Sequence, residues 1–458
     1  MKKYLLILCL VISQFAVAQP YEPRWESVDS RPVPAWFAEA RFGIFIHWGL
    51  YSVPAWATID KAIATHPVYS EWYWWQKNTD TSRVGDATRA YHKATYGDDF
   101  KYPDFVRDFK AERFDPAAWA DLFAASGAKY VVLTSKHHEG FALWPSAEAW
   151  NWNSVDVGPH RDLAGELSEA VREKGLRMGF YYSLYEWYNP IYLNDVDRYV
   201  EQHMLPQMKD LVCRYSPDIL WTDGEWEHPS STWRSEEFLA WLYNESPVRE
   251  TVVVNDRWGK ETRGRHGGFY TTEYDLDSSH AANMSAAAHP WEECRGIGNS
   301  FGYNRAETLE HYSSTQQLIV TLIERVARGG NLLLDVGPKA DGTIPLVMQE
   351  RLLGIGAWMG VNGEAIYGTE PWDKAAQNKA DGVFFTTKGD DLYVLYTKPQ
   401  AVLTLKGVAT PRRADILGAE ARVRCAASKG GVRLTLPAEV LRDAQERPQV
   451  VRLAGALK

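Results

Sequence analysis

The sequence predicts an α/β chain, a (β/α)8-like barrel followed by a small C-terminal β-sandwich. Three observations carry that expectation. Apolar strand-like runs alternate with capped helical segments along the first three quarters of the chain, which calls for a parallel sheet and, at this length, a barrel. Those runs are apolar at nearly every position, as strands covered on both faces are. After Gly368 the helical period disappears, and short β-rich segments separated by Gly, Asp and Pro replace it.

Each element follows in chain order. Residues 1–18 combine Lys2 and Lys3, a short apolar run, and Ala16-Val17-Ala18 ahead of Gln19. This is the pattern of a bacterial secretory signal peptide, too short to span a bilayer. The mature chain is therefore expected to be periplasmic or extracellular. FGIFI supplies the first strand. Asp115-Pro116 opens a helix that Gly127 closes, and YVVLTS (130–135) follows. Asp162 opens the next helix, Gly175 ends it, and RMGFYYS (177–183) is the strand after it. A helix over about 196–215, bent at Pro206, leads into DILWTD (218–223). A helix over about 235–243 precedes TVVVND (251–256), and one over about 313–328, stopped by Gly329-Gly330, precedes NLLLDV (331–336). The barrel is assigned residues 19–368. The sandwich takes 369–458, with GVFFTTKGDDLYVLYTK, AVLTLKGV, GVRLTLPAE and PQVVRLAG as its strands.

Composition narrows the function classes. The formal charge is −9 and the Lys and Arg are scattered, which argues against nucleic acid or an anionic membrane as partner. No segment after the leader is apolar enough to span a membrane. The chain carries 20 Trp and 24 Tyr; most must be core, and the remainder suit stacking on sugar rings. Cys213, Cys294 and Cys425 are too widely spaced for a disulfide framework or a metal knuckle, and are read as packing residues. With no phosphate loop, dinucleotide fingerprint or metal-ligand run, no cofactor is expected. The sequence leaves the oligomeric state open.

In a barrel, polar residues at the carboxyl ends of strands form the active site. DILWTDGEW ends its strand in Asp223, and the other strand ends add His47 and Trp48, His137 and His138, Tyr181 and Glu186. VVVNDRWG gives Asn255, Asp256, Arg257 and Trp258, and Glu273 ends FYTTE. Any one of these taken alone is more readily a satisfied structural residue. Their convergence suits a polyhydroxylated ligand, whose hydroxyls need donors and acceptors and whose apolar face needs aromatic cover.

RFGIFIHWGLYSVPAW, SKHHEGFALWPS, DILWTDGEW, VVVNDRWG, WEECRGIGNSFGYN and RGGNLLLDVGPKADGTIP resemble, in order, the successive blocks of glycoside hydrolase family 29, the α-L-fucosidases. The resemblance spans about 26–367, and VNGEAIYGTEPW resembles the family's junction to its C-terminal β domain. It implies an exo-acting, retaining hydrolase of terminal α-L-fucose acting on fucosylated oligosaccharides or glycoconjugates. Such a reaction uses two carboxyl groups about 5–5.5 Å apart, one a nucleophile and the other an acid that later acts as base. Asp223 matches the nucleophile. Phe45, His47, Glu71, Trp72, His137, His138, Tyr181, Arg257 and Phe301 match the sugar-contacting residues. For the acid/base, Glu273 is taken first because it ends a strand-like run, with Glu292 as the alternative; Glu225 and Glu227 are read as structural or outer residues. The rival readings are a glycosidase accepting α-L-galactosides and a non-catalytic carbohydrate-binding protein.

Overall fold

The computed structural model describes residues 20–187, 189–274, 289–372, 382–398, 400–438, 440–442 and 447–457; the expected leader, residues 1–18, lies outside them. Eight strands form one parallel sheet: β1 (Phe42–Ile46), β2 (Tyr130–Lys136), β3 (Arg177–Ser183), β4 (Ile219–Asp223), β5 (Val253–Val254), β6 (Tyr270–Glu273), β7 (Trp291–Gly296) and β8 (Asn331–Val336). Their order is β5-β4-β3-β2-β1-β8-β7-β6, so the two ends of the sheet, β5 and β6, are consecutive in sequence. They meet through the backbone bonds Phe269 N to Val254 O, 2.9 Å, and Gly268 N to Asn255 O, 3.1 Å. Asp256 Oδ1 then takes the Thr271 N–H at 3.1 Å and the Thr271 hydroxyl at 2.7 Å. Side chains thus complete the barrel where the ladder stops.

The period of two along a strand divides the side chains between two cores. Phe45, Tyr130, Val132, Tyr181, Ile219, Trp221, Cys294 and Leu333 pack inside the barrel. Their neighbours Ile44, Ile46, Val131, Leu133, Phe180, Tyr182, Leu220 and Leu334 pack outward among the helices. The helices over Pro116–Ala125, Leu163–Glu173, Leu205–Tyr215, Ser235–Asn244, Thr315–Ala327 and Leu346–Asn362 form that outer layer. Asp115 and Asp162 cap the first two by accepting N–H bonds from Ala118 and Gly165. At Pro206 the expected bend takes the form of a π-helical turn, Val200–Met204, directly ahead of the proline-bearing helix, since proline removes one N–H from the helical ladder.

Two strands depart from the sequence reading. TVVVND pairs only at Val253–Val254, because Asn255 and Asp256 turn out of the ladder to bond Thr222 and Thr271. WEECRG, too polar to be read as a strand, forms β7. Its outward Glu293 is held by Arg325 at 2.8 Å, and its inward Glu292 accepts from Tyr130 and from Trp221.

The C-terminal segments form a five-stranded antiparallel sheet of β9 (Glu370–Pro371), β10 (Val383–Lys388), β11 (Asp391–Tyr396), β13 (Arg413–Ile416) and β16 (Gln449–Ala454). A three-stranded sheet of β12 (Val402–Lys406), β14 (Arg424–Ser428) and β15 (Gly431–Thr435) accompanies it. Phe385, Leu392 and Val394 face the core between these sheets. Phe384, Tyr393 and Leu395 face the barrel helices, and Trp358 Nε1 donates to Pro448 O at 2.7 Å. No helix among the described residues is long and apolar enough to cross a membrane.

Candidate active site

At the carboxyl end of the barrel, one cavity of about 110 Å³ receives inward groups from around the sheet. Strand β1 contributes Phe45 and, two residues on, His47. His47 Nδ1 lies 2.6 Å from Asp335 Oδ1 at the end of β8. Burial lowers the imidazole well below its usual range and raises the carboxyl well above. Both shifts disfavour charge on the pair, and with Nδ1 facing Asp335 the other ring nitrogen is left for the cavity.

Beyond β2, His138 Nδ1 lies 2.7 Å from Ser183 Oγ and its Nε2 lies 3.8 Å from Asp223 Oδ2. His137 stacks on Tyr181 at 5.6 Å, and its Nδ1 has no hydrogen-bond partner. Strand β3 turns Tyr181 inward, where its hydroxyl donates to Asp223 Oδ2 at 3.0 Å. The adjacent Tyr182 points outward and donates to Gln207.

Strand β4 ends in Asp223, its partner in the β3 register being Ser183. Arg257 Nη1 donates to Asp223 Oδ1 at 2.8 Å, and Arg263 Nη2 stands 3.7 Å from the same oxygen. Burial alone would raise the Asp223 carboxyl, but the two guanidiniums and the Tyr181 bond outweigh it and hold it below its ordinary value. Gly224 then takes φ 74°, and a Cβ there would meet the Tyr185 ring at 2.4 Å. The Asp-Gly pair is thus where the strand ends at the edge of the cavity, and the turn comes only at Trp226-Glu227.

Arg257 ties the site together. Its Nη2 pairs with Glu273 at the end of β6, its Nε donates to Thr271 Oγ1 at 3.0 Å, and its guanidinium lies over Trp221 at 4.3 Å. The turn Ser70–Trp72 adds Glu71 and Trp72. Glu71 Oε2 accepts from Gly302 N at 2.9 Å and Ser300 Oγ at 3.2 Å, and burial raises its carboxyl. Phe301 packs on His47 at 4.9 Å.

Asp223, Glu273 and the nine residues matched to sugar contacts all line this cavity; the alternative acid Glu292 and the strand-end residues Trp48, Asn255, Asp256 and Trp258 do not. The register pairs Glu273 with Cys294 and Thr271 with Glu292, so Glu292 lies two strand residues deeper, ~6.6 Å down the barrel. There it accepts from Tyr130 OH and Trp221 Nε1, and burial pushes it up to about 7. Glu225 pairs with Arg263 Nε at 2.5 Å, Glu227 with Tyr192, and Glu186 with Lys136 at 2.7 Å; none of them lines the cavity.

Tyr69, Trp221, Trp226 and Cys294, the last read from the sequence only as a packing residue, also line it. Trp221 and Cys294 could have been found by counting in twos from Asp223 and Glu292. Asp335 could likewise have been found, as the polar residue near the end of NLLLDV and two on from Leu333; Arg263 carried no such sign. Cys213 is exposed, contrary to its reading as a packing residue. A broader hollow of about 710 Å³ near Tyr21, Arg31, Tyr243 and Arg249 has only Glu250 as an acid, so no carboxyl pair converges there.

Residues 9–364 match the family model described as alpha-L-fucosidase. The tissue alpha-L-fucosidase of Rattus norvegicus is 46% identical over 429 residues, covering 91% of this chain and 88% of its own. The alpha-L-fucosidase of Dictyostelium discoideum is 46% identical over 84% of this chain and 82% of its own. A crystal structure of Thermotoga maritima alpha-fucosidase with a mechanism-based inhibitor superimposes with a TM-score of 0.79 at 38% identity, over 94% of this chain and 99% of that one. A family match over most of the chain, joined by relatives this similar along both lengths, means that the protein belongs to the α-L-fucosidase family, glycoside hydrolase family 29.

Proposed function

We propose that the chain is an exo-acting, retaining α-L-fucosidase with Asp223 as nucleophile and Glu273 as acid/base. The observation that carries this reading is that one guanidinium, Arg257, holds both carboxyl groups at the mouth of a cavity sized for one sugar. In the first step Asp223 forms a bond to the anomeric carbon as the glycosidic C–O bond breaks, and Glu273 gives its proton to the departing oxygen. In the second, Glu273 takes a proton from water, whose oxygen displaces Asp223 with a second inversion. Before the first step Asp223 is the anion and Glu273 is protonated; in the ester intermediate the charges are exchanged. Arg257 faces one carboxylate at each stage, so the cycle needs no rearrangement of its countercharge.

The remaining groups suit fucose. Phe45, Phe301 and Trp221 give apolar surface for the C5 methyl. His47, His137, His138, Glu71 and Trp72 offer bonds to the ring hydroxyls. An apolar pocket discriminates weakly against an added hydroxyl, so α-L-galactosides, which differ at C5, are the expected minor substrates. The floor formed by Trp221 over Glu292 favours a terminal residue over an internal one. We further propose that residues 1–18 direct export to the periplasm or beyond, that 19–368 form the catalytic domain, and that 369–458 form the β-sandwich domain.

Hydrolysis of an aryl α-L-fucoside followed by proton NMR tests the reading. α-L-Fucose should appear first and mutarotate later. Initial release of the β-anomer would overturn retention, and binding of fucose without turnover would favour the non-catalytic binder.

A further inference from the structure

We propose that the cleft between segments 58–68 and 299–311 is the subsite for a hydroxyl-bearing pyranose of the leaving group; this rests on Glu273 as the acid. The leaving oxygen must face Glu273, so the rest of the departing glycan extends past the residues around it. Tyr69 is one of them: burial first, then its nearness to the Glu273 and Glu71 carboxyl groups, raises its hydroxyl above the ordinary value. Phe301 packs edge-on against Tyr69 at 5.5 Å and against Tyr274, the residue after Glu273, at 5.6 Å. Tyr69 is the next residue after segment 58–68, and Phe301 belongs to segment 299–311. The second cleft therefore adjoins the acid side of the fucose cavity.

Its walls are fixed. Ser70 N donates to Ser300 Oγ at 2.9 Å and Ser70 Oγ to Tyr303 O at 3.1 Å. Asn304 exchanges two bonds with Ala57, at 3.2 and 3.1 Å. The space between them is about 240 Å³, below the ~300–1,000 Å³ that encloses drug-sized ligands, and so suits a single ring. Its lining combines apolar Ile59 and Val68 with Lys61, His66, Glu307 and His311. Glu307 Oε1 already accepts from Asn299 N and Ser300 N. His311 Nδ1 accepts from Thr308 N, which leaves the proton on Nε2. Lys61 and His66 are exposed, and no hydrogen bond or ion pair to either is found among the described residues. Free donors beside a small apolar wall are the complement of a sugar's hydroxyls and C–H face.

The test compares wild type with K61A/H66A on 4-nitrophenyl α-L-fucoside and on 2′-fucosyllactose, and measures lactose binding by saturation-transfer NMR. The variant should lose about five- to tenfold in kcat/KM on 2′-fucosyllactose through a higher KM, the mark of lost ground-state binding. It should hold within about twofold on the aryl fucoside, and lactose should bind wild type more tightly. An equal loss on both substrates would overturn the subsite, because the loops would then act only by holding Tyr69 and Phe301. No loss on either would also overturn it. If wild type turned over neither fucoside yet bound lactose through Lys61 and His66, the catalytic reading would fail while the sugar cleft stood.

Discussion

Glu273 and Glu292 end up on adjacent strands of the same barrel, two residues apart in depth. Glu292 is almost wholly enclosed, with both carboxyl oxygens taken by Tyr130 and Trp221. Glu273 keeps 35% of its side chain exposed and shares Arg257 with Asp223. The deeper acid has every bond it needs and nothing mobile to exchange a proton with. The shallower one has a cation that its neighbour can claim and an open side for a substrate. Residue type is the same in both layers; depth and the supply of partners separate structure from chemistry.

Substitutions at the mouth should hurt catalysis and those below it should not. The largest effect belongs to Asp223→Asn, expected to cut kcat on an aryl fucoside by about 10⁴-fold or more while the melting curve stays cooperative. A near-normal rate would remove Asp223 from the mechanism. Glu273→Ala should cost ~10²–10⁴-fold on fucosyl oligosaccharides and far less on aryl fucosides, whose leaving groups need little protonation. Azide should restore turnover with retention, as β-fucosyl azide. If Glu292→Ala gave that pattern instead, the two layers would have to exchange roles.

A smaller effect is expected at Arg263, which lowers the Asp223 carboxyl from 3.7 Å away. With Asp223 as the proposed nucleophile, activity should be lost as pH falls through its value, so Arg263→Gln should move the acid limb of kcat/KM upward. An opposite charge at such range is worth ~1–3 units, and the shift should be below about one, because Glu225 would take up a proton as its partner leaves. Arg263→Lys should restore the profile. A limb that moved downward, or not at all, would detach Arg263 from the nucleophile.

Glu292→Gln should change kcat least, by less than about threefold, and register instead in the pH dependence of Tm. Burial raises Glu292 to about 7, above the ~4.3 of an unfolded glutamate. Its contribution to stability is present in full below that lower value and is lost as pH rises towards the upper one. The glutamine variant should therefore show a flatter Tm between about pH 4.5 and 7. An unchanged slope would mean that Glu292 is ionised in the fold.

Much of this was legible because period and punctuation have simple physical causes. The capped helices after Asp115 and Asp162, the strand RMGFYYS and the inward turn of Tyr181 follow from side chains that alternate faces. The strand WEECRG was not legible, since two acids and an arginine look exposed until Arg325, Tyr130 and Trp221 are brought beside them from elsewhere in the chain. The helix Leu346–Asn362 went unread, with Gly354, Gly356 and Gly360 interrupting its pattern. Arg263 lies in a turn-rich segment with no period at all, so only the folded chain brings it to Asp223.

The seam between β5 and β6 has a consequence for reading mutants. Arg257, which pairs with Asp223 and Glu273, the proposed nucleophile and acid/base, also grips Thr271 across the place where the sheet lacks a ladder. Its neighbour Asp256 does the same from the other side of Thr271. The barrel is thus fastened by the adjacent pair Asp256-Arg257, of which Arg257 also serves the proposed chemistry. A change at Arg257 would lower the amount of folded enzyme and the rate per folded molecule together. Selection for higher thermal tolerance and selection for altered substrate scope would collide at this point, so drift in either trait should accumulate elsewhere in the chain.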